Sequence, residues 1–80
     1  MTYQPYPEAA ARRTGCKVSW WYYDTREEAE ACSRVAIHNS YVLQQEGYDF
    51  GYCSPGSIQW VEAGNAPQAG DKGRWEVCVG

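Results

Sequence analysis

The chain has 80 residues, 44% of them hydrophobic and 15% aromatic, which is enough for one small domain with a thin core. Seven basic residues against ten acidic ones leave a net charge of −3, which argues against unassisted binding to a phosphate backbone. No apolar run approaches the ~18 residues that a membrane span needs. Four Trp, seven Tyr and one Phe outnumber three Leu and Ile residues, so rings must supply much of the core. The opening MTYQPYPEAA has no basic segment followed by an apolar stretch, so no secretory signal is expected and the cytosol is the expected compartment.

Residues 1–15 read as an extended arm. Pro5 and Pro7 alternate with Tyr3 and Tyr6, and the arm is either a disordered leader or is pinned by its tyrosines to the body formed by residues 16–80. Residues 17–24, KVSWWYYD, form the clearest strand, because Val, Trp and Tyr suit a pleated, half-buried surface. A period of two sets Val18, Trp20 and Tyr22 on one face and Ser19, Trp21 and Tyr23 on the other.

Asp24 to Glu28 announce a helix, with Thr25 as N-cap and Glu28 closing a capping box. Asp24, Glu27 and Glu28 lie where the helix dipole favours negative charge. The helix is expected to reach about Glu46 and to stop at Gly47. One side of it gathers Ala29, Ala31, Cys32, Val35, Ala36, Val42 and Leu43, and their small size lets the helix approach a sheet carrying large rings. Asn39 falls within this arc and needs a hydrogen-bond partner if buried. Glu30 and Arg34 are spaced for an i,i+4 pair, and Ile37 and Tyr41 project from one flank, available to the core or to an interface.

Tyr48, Phe50 and Tyr52 alternate in a glycine-rich loop that is expected to plug the end of the core, and Pro55-Gly56 suits a type II turn. SIQWVE, residues 57–62, forms a second strand with Ile58 and Trp60 on one face. RWEVCV, residues 74–79, forms a third with Trp75, Val77 and Val79 on one face, and a polar turn region joins the two. The elements assemble as an α+β domain, β-α-β-β, with one helix on one face of a three-stranded sheet. In this arrangement the helix crosses over between parallel strands one and two, and strands two and three form a hairpin. The expected covered face is Val18, Trp20, Tyr22, Ile58, Trp60, Trp75, Val77 and Val79. The other face then carries Lys17, Ser19, Trp21, Tyr23, Gln59, Val61, Glu76 and Cys78, on which Trp21, Tyr23 and Val61 form an exposed apolar patch.

Cys16, Cys32, Cys53 and Cys78 lie 16, 21 and 25 residues apart with a single histidine, too dispersed for a zinc site. Free thiols are expected in a reducing compartment, with Cys32 acting as a small buried hydrophobe. His38 lies about 120° around the helix from Cys32, so the two cannot form a helix-borne dyad. No nucleophile elbow and no phosphate-binding glycine motif occurs. No catalytic residue, metal or cofactor is therefore expected. Trp21 and Tyr23 on an open sheet face would also suit base stacking in a single-stranded nucleic-acid module, but only Lys17 accompanies them and Glu76 shares the face.

A protein-binding role is the stronger expectation, with the partner surface formed by Trp21, Tyr23, Asp24, Glu27, Glu30, Asp49, Val61 and Glu76. The aromatic strand Trp21 to Asp24, the helix start Thr25 to Ala29, Gly47 to Tyr52 and Pro55 to Ile58 resemble a group of short phage and prophage proteins over residues 17–79. In size and acidity the chain is also similar to the small phage-borne anti-CRISPR proteins. That resemblance implies a stoichiometric inhibitor of a CRISPR effector, in which acidic residues complement the basic surface where a type I complex grips target DNA. From the charge and the lack of an apolar span, no membrane partner and no direct nucleic-acid contact are expected. A homodimeric phage accessory protein, paired through the open sheet face, is the other reading of the same patch.

Overall fold

A computed structural model of the protein describes residues 3–15, 18–47 and 55–79. The aromatic run becomes strand β2, Ser19–Tyr23, and strand β1, Ala11–Thr14, precedes it. Helix α1, Arg26–Gln45, follows, then strand β3, Ile58–Val61, a 3₁₀ turn at Pro67–Ala69, and strand β4, Arg74–Cys78. The fold is α+β, with four strands in the order β1-β2-β4-β3 and every neighbouring pair antiparallel. The expected plug formed by Tyr48, Phe50 and Tyr52 lies outside the described residues, as do Cys16, Cys53 and Asp49.

The helix begins and ends where its signals place it. Thr25 accepts from the Glu28 N–H at 3.2 Å, which caps the helix, and donates its hydroxyl to Glu28 Oε1 at 2.8 Å. At the other end Gly47 adopts φ 91°, a left-handed conformation that glycine enters without a Cβ clash. Ala29, Cys32, Ala36, Asn39 and Val42 are buried, as the small-residue arc requires. Glu30 pairs with Arg26 one turn earlier, at 3.1 Å, rather than with Arg34.

Two expectations about the sheet are corrected. The N-terminal arm is not wholly outside it, because Ala11–Thr14 pair with β2 from Ala11 opposite Tyr22 to Thr14 opposite Ser19. The first and second expected strands are not neighbours, because β4 lies between them and pairs antiparallel with both β2 and β3. The β3–β4 hairpin forms as expected. Its return strand is inserted under the helix crossover, where Val77 becomes fully buried. Central placement gives β4 two ladder partners, whereas the expected order would have left it on an edge.

The period of β2 was legible and its phase was not. Val77 stands opposite both Trp21 and Ile58, and Trp75 stands opposite both Tyr23 and Trp60, so these side chains share one face. That face meets the helix, with Tyr23, Ala29, Cys32 and Val77 as the core and Tyr6, Ala9, Trp21, Ile58, Trp75 and Val79 packed around it. Trp20 and Tyr22 therefore point away from the helix, opposite to the assignment made from sequence. Tyr22 is nonetheless 0% exposed, because the outer face is not open. The segment between β3 and β4 folds back so that its 3₁₀ turn packs against β1 and β4, where Arg74 Nη1 donates to Gln68 O at 3.0 Å and Ala69 is buried.

Gly73 marks the close approach at the start of β4. Its φ is +85°, and a Cβ there would lie 2.5 Å from Trp60 Cζ2 and 2.9 Å from the Val61 carbonyl oxygen. Gly64 has the same φ with nothing within 4 Å. In urea unfolding, Gly64→Ala is expected to cost about 1–2 kcal/mol from backbone strain alone. Gly73→Ala is expected to cost more, about 2–4 kcal/mol, because overpacking adds to the strain. Equal losses in the two variants would contradict this account of Gly73.

Candidate functional site

The outward face of α1 carries a continuous stripe. Glu27, Glu30, Arg34, Ile37 and Tyr41 recur at intervals of three or four, which aligns them along one side of the helix. Glu27 and Glu30 lie at its N-terminal end, with Glu30 paired to Arg26, Arg34 stands at its middle, and its C-terminal end is apolar. Ile37 is 44% exposed and Tyr41 59% exposed, so the flank singled out from sequence is free for an interface. Below the stripe, Ser33 donates to the Gly56 carbonyl at 2.6 Å, and the Gly56 backbone lies against Ile37. These contacts join the helix flank to the start of β3. Trp60, further along β3, is 41% exposed and makes an edge contact with Trp75, ring centroids 5.0 Å apart.

The N-terminal arm is tied to the opposite side of the helix. Asn39 is buried, and its amide meets the arm backbone twice: the Gln4 N–H donates to Asn39 Oδ1 at 2.8 Å, and Asn39 Nδ2 donates to Gln4 O at 3.1 Å. This is the partner that a buried asparagine requires. Tyr6 packs on Trp21 with centroids 4.9 Å apart, and the Tyr23 hydroxyl donates to Pro7 O at 2.8 Å. A cavity of about 280 Å³ remains beneath the arm, lined by Tyr3, Tyr6, Trp21, Asn39, Leu43 and Val79 among others.

Arginines cover the tryptophan rings at the β1–β2 edge. Arg12 and Arg13 stand opposite Trp21 and Trp20 in the ladder, with their guanidinium carbons 4.4 Å and 4.0 Å from the ring centroids. Such cation–π contacts contribute about 0.5–2 kcal/mol each, depending on desolvation. Arg13 also lies 3.6 Å from Glu76, whose carboxylate accepts the Tyr22 hydroxyl at 2.5 Å. Neither arginine was singled out from sequence. Their role needs the register of a strand that has no hydrophobic alternation of its own.

The expected partner surface is not one surface. Tyr23 is 1% exposed and Trp21 half-buried, both beneath the helix, so neither forms an exposed patch. Val61 is half-buried and Glu76 is engaged with Tyr22 and Arg13 on the far side of the sheet. Asp24 is exposed and pairs with Arg74 at 2.9 Å, linking the end of β2 to the start of β4. Only Glu27 and Glu30 lie together on the stripe, and Asp49 lies outside the described residues. Base stacking and dimerisation were expected on the face carrying Trp21 and Tyr23, and both of those side chains lie on the helix side of the sheet. Trp21 is half-buried against the core, and on the outer face the 3₁₀ segment packs against β1 and β4 where Tyr22 is buried.

Cys32 is a free thiol, fully buried against Tyr23, and burial raises both its pKa and that of the Tyr23 phenol. Among the described residues, no group of three or more His, Cys, Asp or Glu is placed to hold a metal ion. No helix among them is long and apolar enough to cross a membrane. Comparison with protein families, curated proteins and solved structures finds no match to this chain.

Asn39→Ala removes both hydrogen bonds between the helix and Gln4 and leaves the Gln4 N–H and C=O to find other partners. We expect a loss of about 1–3 kcal/mol and faster tryptic cleavage at Arg12 and Arg13; unchanged proteolysis would show that Asn39 does not hold the arm. The thiol and the phenol are both neutral when protonated and both hold their protons more tightly when folded. Their contribution to stability is therefore complete below the ordinary thiol and phenol values of 9.0 and 10.0 and is lost as pH rises beyond them. The urea midpoint should be level at neutral pH and fall at alkaline pH, and a level midpoint to about pH 11 would contradict this linkage.

Proposed function

We propose that this protein is a non-enzymatic inhibitor that binds another protein, and that its partner is the DNA-gripping surface of a type I CRISPR effector in the host cytosol. The observation that carries the reading is the α1 stripe, where exposed Ile37 and Tyr41 share one side of the helix with Arg34, Glu30 and Glu27. A large ring beside an aliphatic side chain supplies the desolvated centre of an interface, and tyrosine is among the residues most often found to dominate binding. Glu27 and Glu30 complement a surface built to hold phosphates, which increases encounter rate and selects against acidic partners. The net charge of −3 acts in the same direction. The phage-type resemblance of the strand, helix start and loop motifs supports the choice of partner.

This placement differs from the one drawn from sequence in its aromatic part. Tyr41 and Ile37 take the place of Trp21 and Tyr23, and Glu27 and Glu30 are retained. Stacking of single-stranded bases receives no comparable support, because Arg13 already lies over Trp20, Arg12 over Trp21, and Tyr6 against Trp21.

Binding of the intact protein to a purified type I effector, with target DNA as competitor, tests the proposal. Tyr41→Ala and Glu27→Arg change exposed side chains and are expected to leave the thermal midpoint within a few degrees. Each is expected to weaken binding by about tenfold or more, corresponding to about 1.4 kcal/mol. Absence of binding by the natural chain, or equal affinity in both variants, would overturn it.

A further inference from the structure

The cavity beneath the arm, about 280 Å³, is walled by three rings, Tyr3, Tyr6 and Trp21, with Leu43 and Val79 completing its apolar part. An apolar cavity of about 150 Å³ is already enough to take up benzene. The volume therefore matches one substituted ring or two fused ones. None of the residues that line it is ionised at neutral pH. Arg12 over the Trp21 ring and Glu46, whose charge acts on Tyr3, stand outside the lining and are of opposite sign. Neither a cation nor an anion is favoured, and an ionised ligand would lose hydration without gaining a partner.

We infer that this cavity is a binding site for a small neutral aromatic compound, one substituted ring or two fused rings bearing an O–H or N–H. The ring packs tilted or offset against Tyr6 and Trp21, which already meet each other in that way, with centroids 4.9 Å apart and planes at 46°. The helix wall receives the polar group. Ser40 lines the cavity, and its hydroxyl donates to Ile37 O at 2.7 Å, which leaves the Ser40 Oγ lone pairs to accept from the ligand.

The arm is the lid of this site. Tyr3 and Tyr6 belong to the arm, whereas Trp21, Leu43 and Val79 belong to the body, and the two bonds between Asn39 and Gln4 hold the one across the other. Tyr3, 51% exposed, forms the outer wall. A compound that touches both sides binds only the closed arm, so ligand binding and arm closure stabilise each other. The cavity lies on the arm side of α1, away from the stripe, and the inference does not rest on the proposed function.

Chemical-shift titration of the full chain with indole and with para-cresol tests it. Each is expected to saturate with a dissociation constant on the order of 0.1–1 mM, the range open to a ligand of so few atoms, and to move the Trp21 Nε1–H and Ser40 signals. Benzoate, a ring with an ionised group, is expected to bind about tenfold more weakly or worse. Leu43→Trp fills the cavity from its half-buried side and Tyr3→Ala removes its exposed wall, so both chains are expected to fold and to bind indole about tenfold more weakly. At ten times the dissociation constant, tryptic cleavage at Arg12 and Arg13 is expected to slow about tenfold in the natural chain. The Leu43→Trp chain should show no slowing, which separates an effect on the arm from one on the protease. Absence of saturable binding, equal affinity for benzoate, full affinity in either folded variant, or binding that leaves cleavage unchanged would each overturn the inference.

Discussion

Tyr23 lies under the helix where Ala29 and Cys32 leave room for a ring, and its hydroxyl reaches Pro7 of the arm. That contact decides which way β2 faces, and the phase of β2 decides nearly everything else. With Tyr23 inward, Trp21 is inward too, and Tyr6 must cross the end of the sheet to cover it. With Tyr22 outward, its hydroxyl meets Glu76 and its ring needs the 3₁₀ segment as a cover. Ring volume on the strand and small volume on the helix are one constraint, because an interior at crystal-like density tolerates neither a gap nor an overlap.

The arm is consequently part of the domain. Its backbone is held by a buried amide at Asn39, by Tyr23 and by the ladder to β2, and its arginines lie over the half-buried rings of Trp20 and Trp21. A domain this small buries a modest fraction of its surface, so an arm that covers rings on one side and a loop that covers them on the other extend the core beyond what one helix can shield. Among the described residues, two of the surfaces that remain exposed after both coverings are the α1 stripe, with Ile37 and Tyr41, and the β3 edge, with Trp60. The two surfaces differ in chemistry, one mixing charged and apolar side chains along a helix, the other a short uncharged strand.

Much of the local structure was legible. The Thr25 cap, the Gly47 stop, the small-residue face of α1 and the β3–β4 hairpin each follow from residues within a few positions of one another. The need of Asn39 for a partner was legible as well, though the partner, 35 residues away, was not. Of the candidate surface, Glu27, Glu30 and the Ile37–Tyr41 flank could be read from helical spacing. Trp21 and Tyr23 were misplaced because both faces of β2 are aromatic, and a period of two then carries no sign of which face is inward.

The twelve aromatics in 80 residues determined by themselves that rings would build the core and that one helix would not cover them all. The sequence also determined where the helix starts and stops and which of its faces is small enough to pack on a sheet. Tertiary structure alone decided the insertion of β4 between β2 and β3, the inward turn of Tyr23 and the use of the arm and the 3₁₀ segment as covers. The physical reason is range. Caps, turns and periodicity act between neighbours along the chain, whereas strand order and face depend on volumes and ladder bonds shared by segments up to about 60 residues apart, for which no local pattern carries the information.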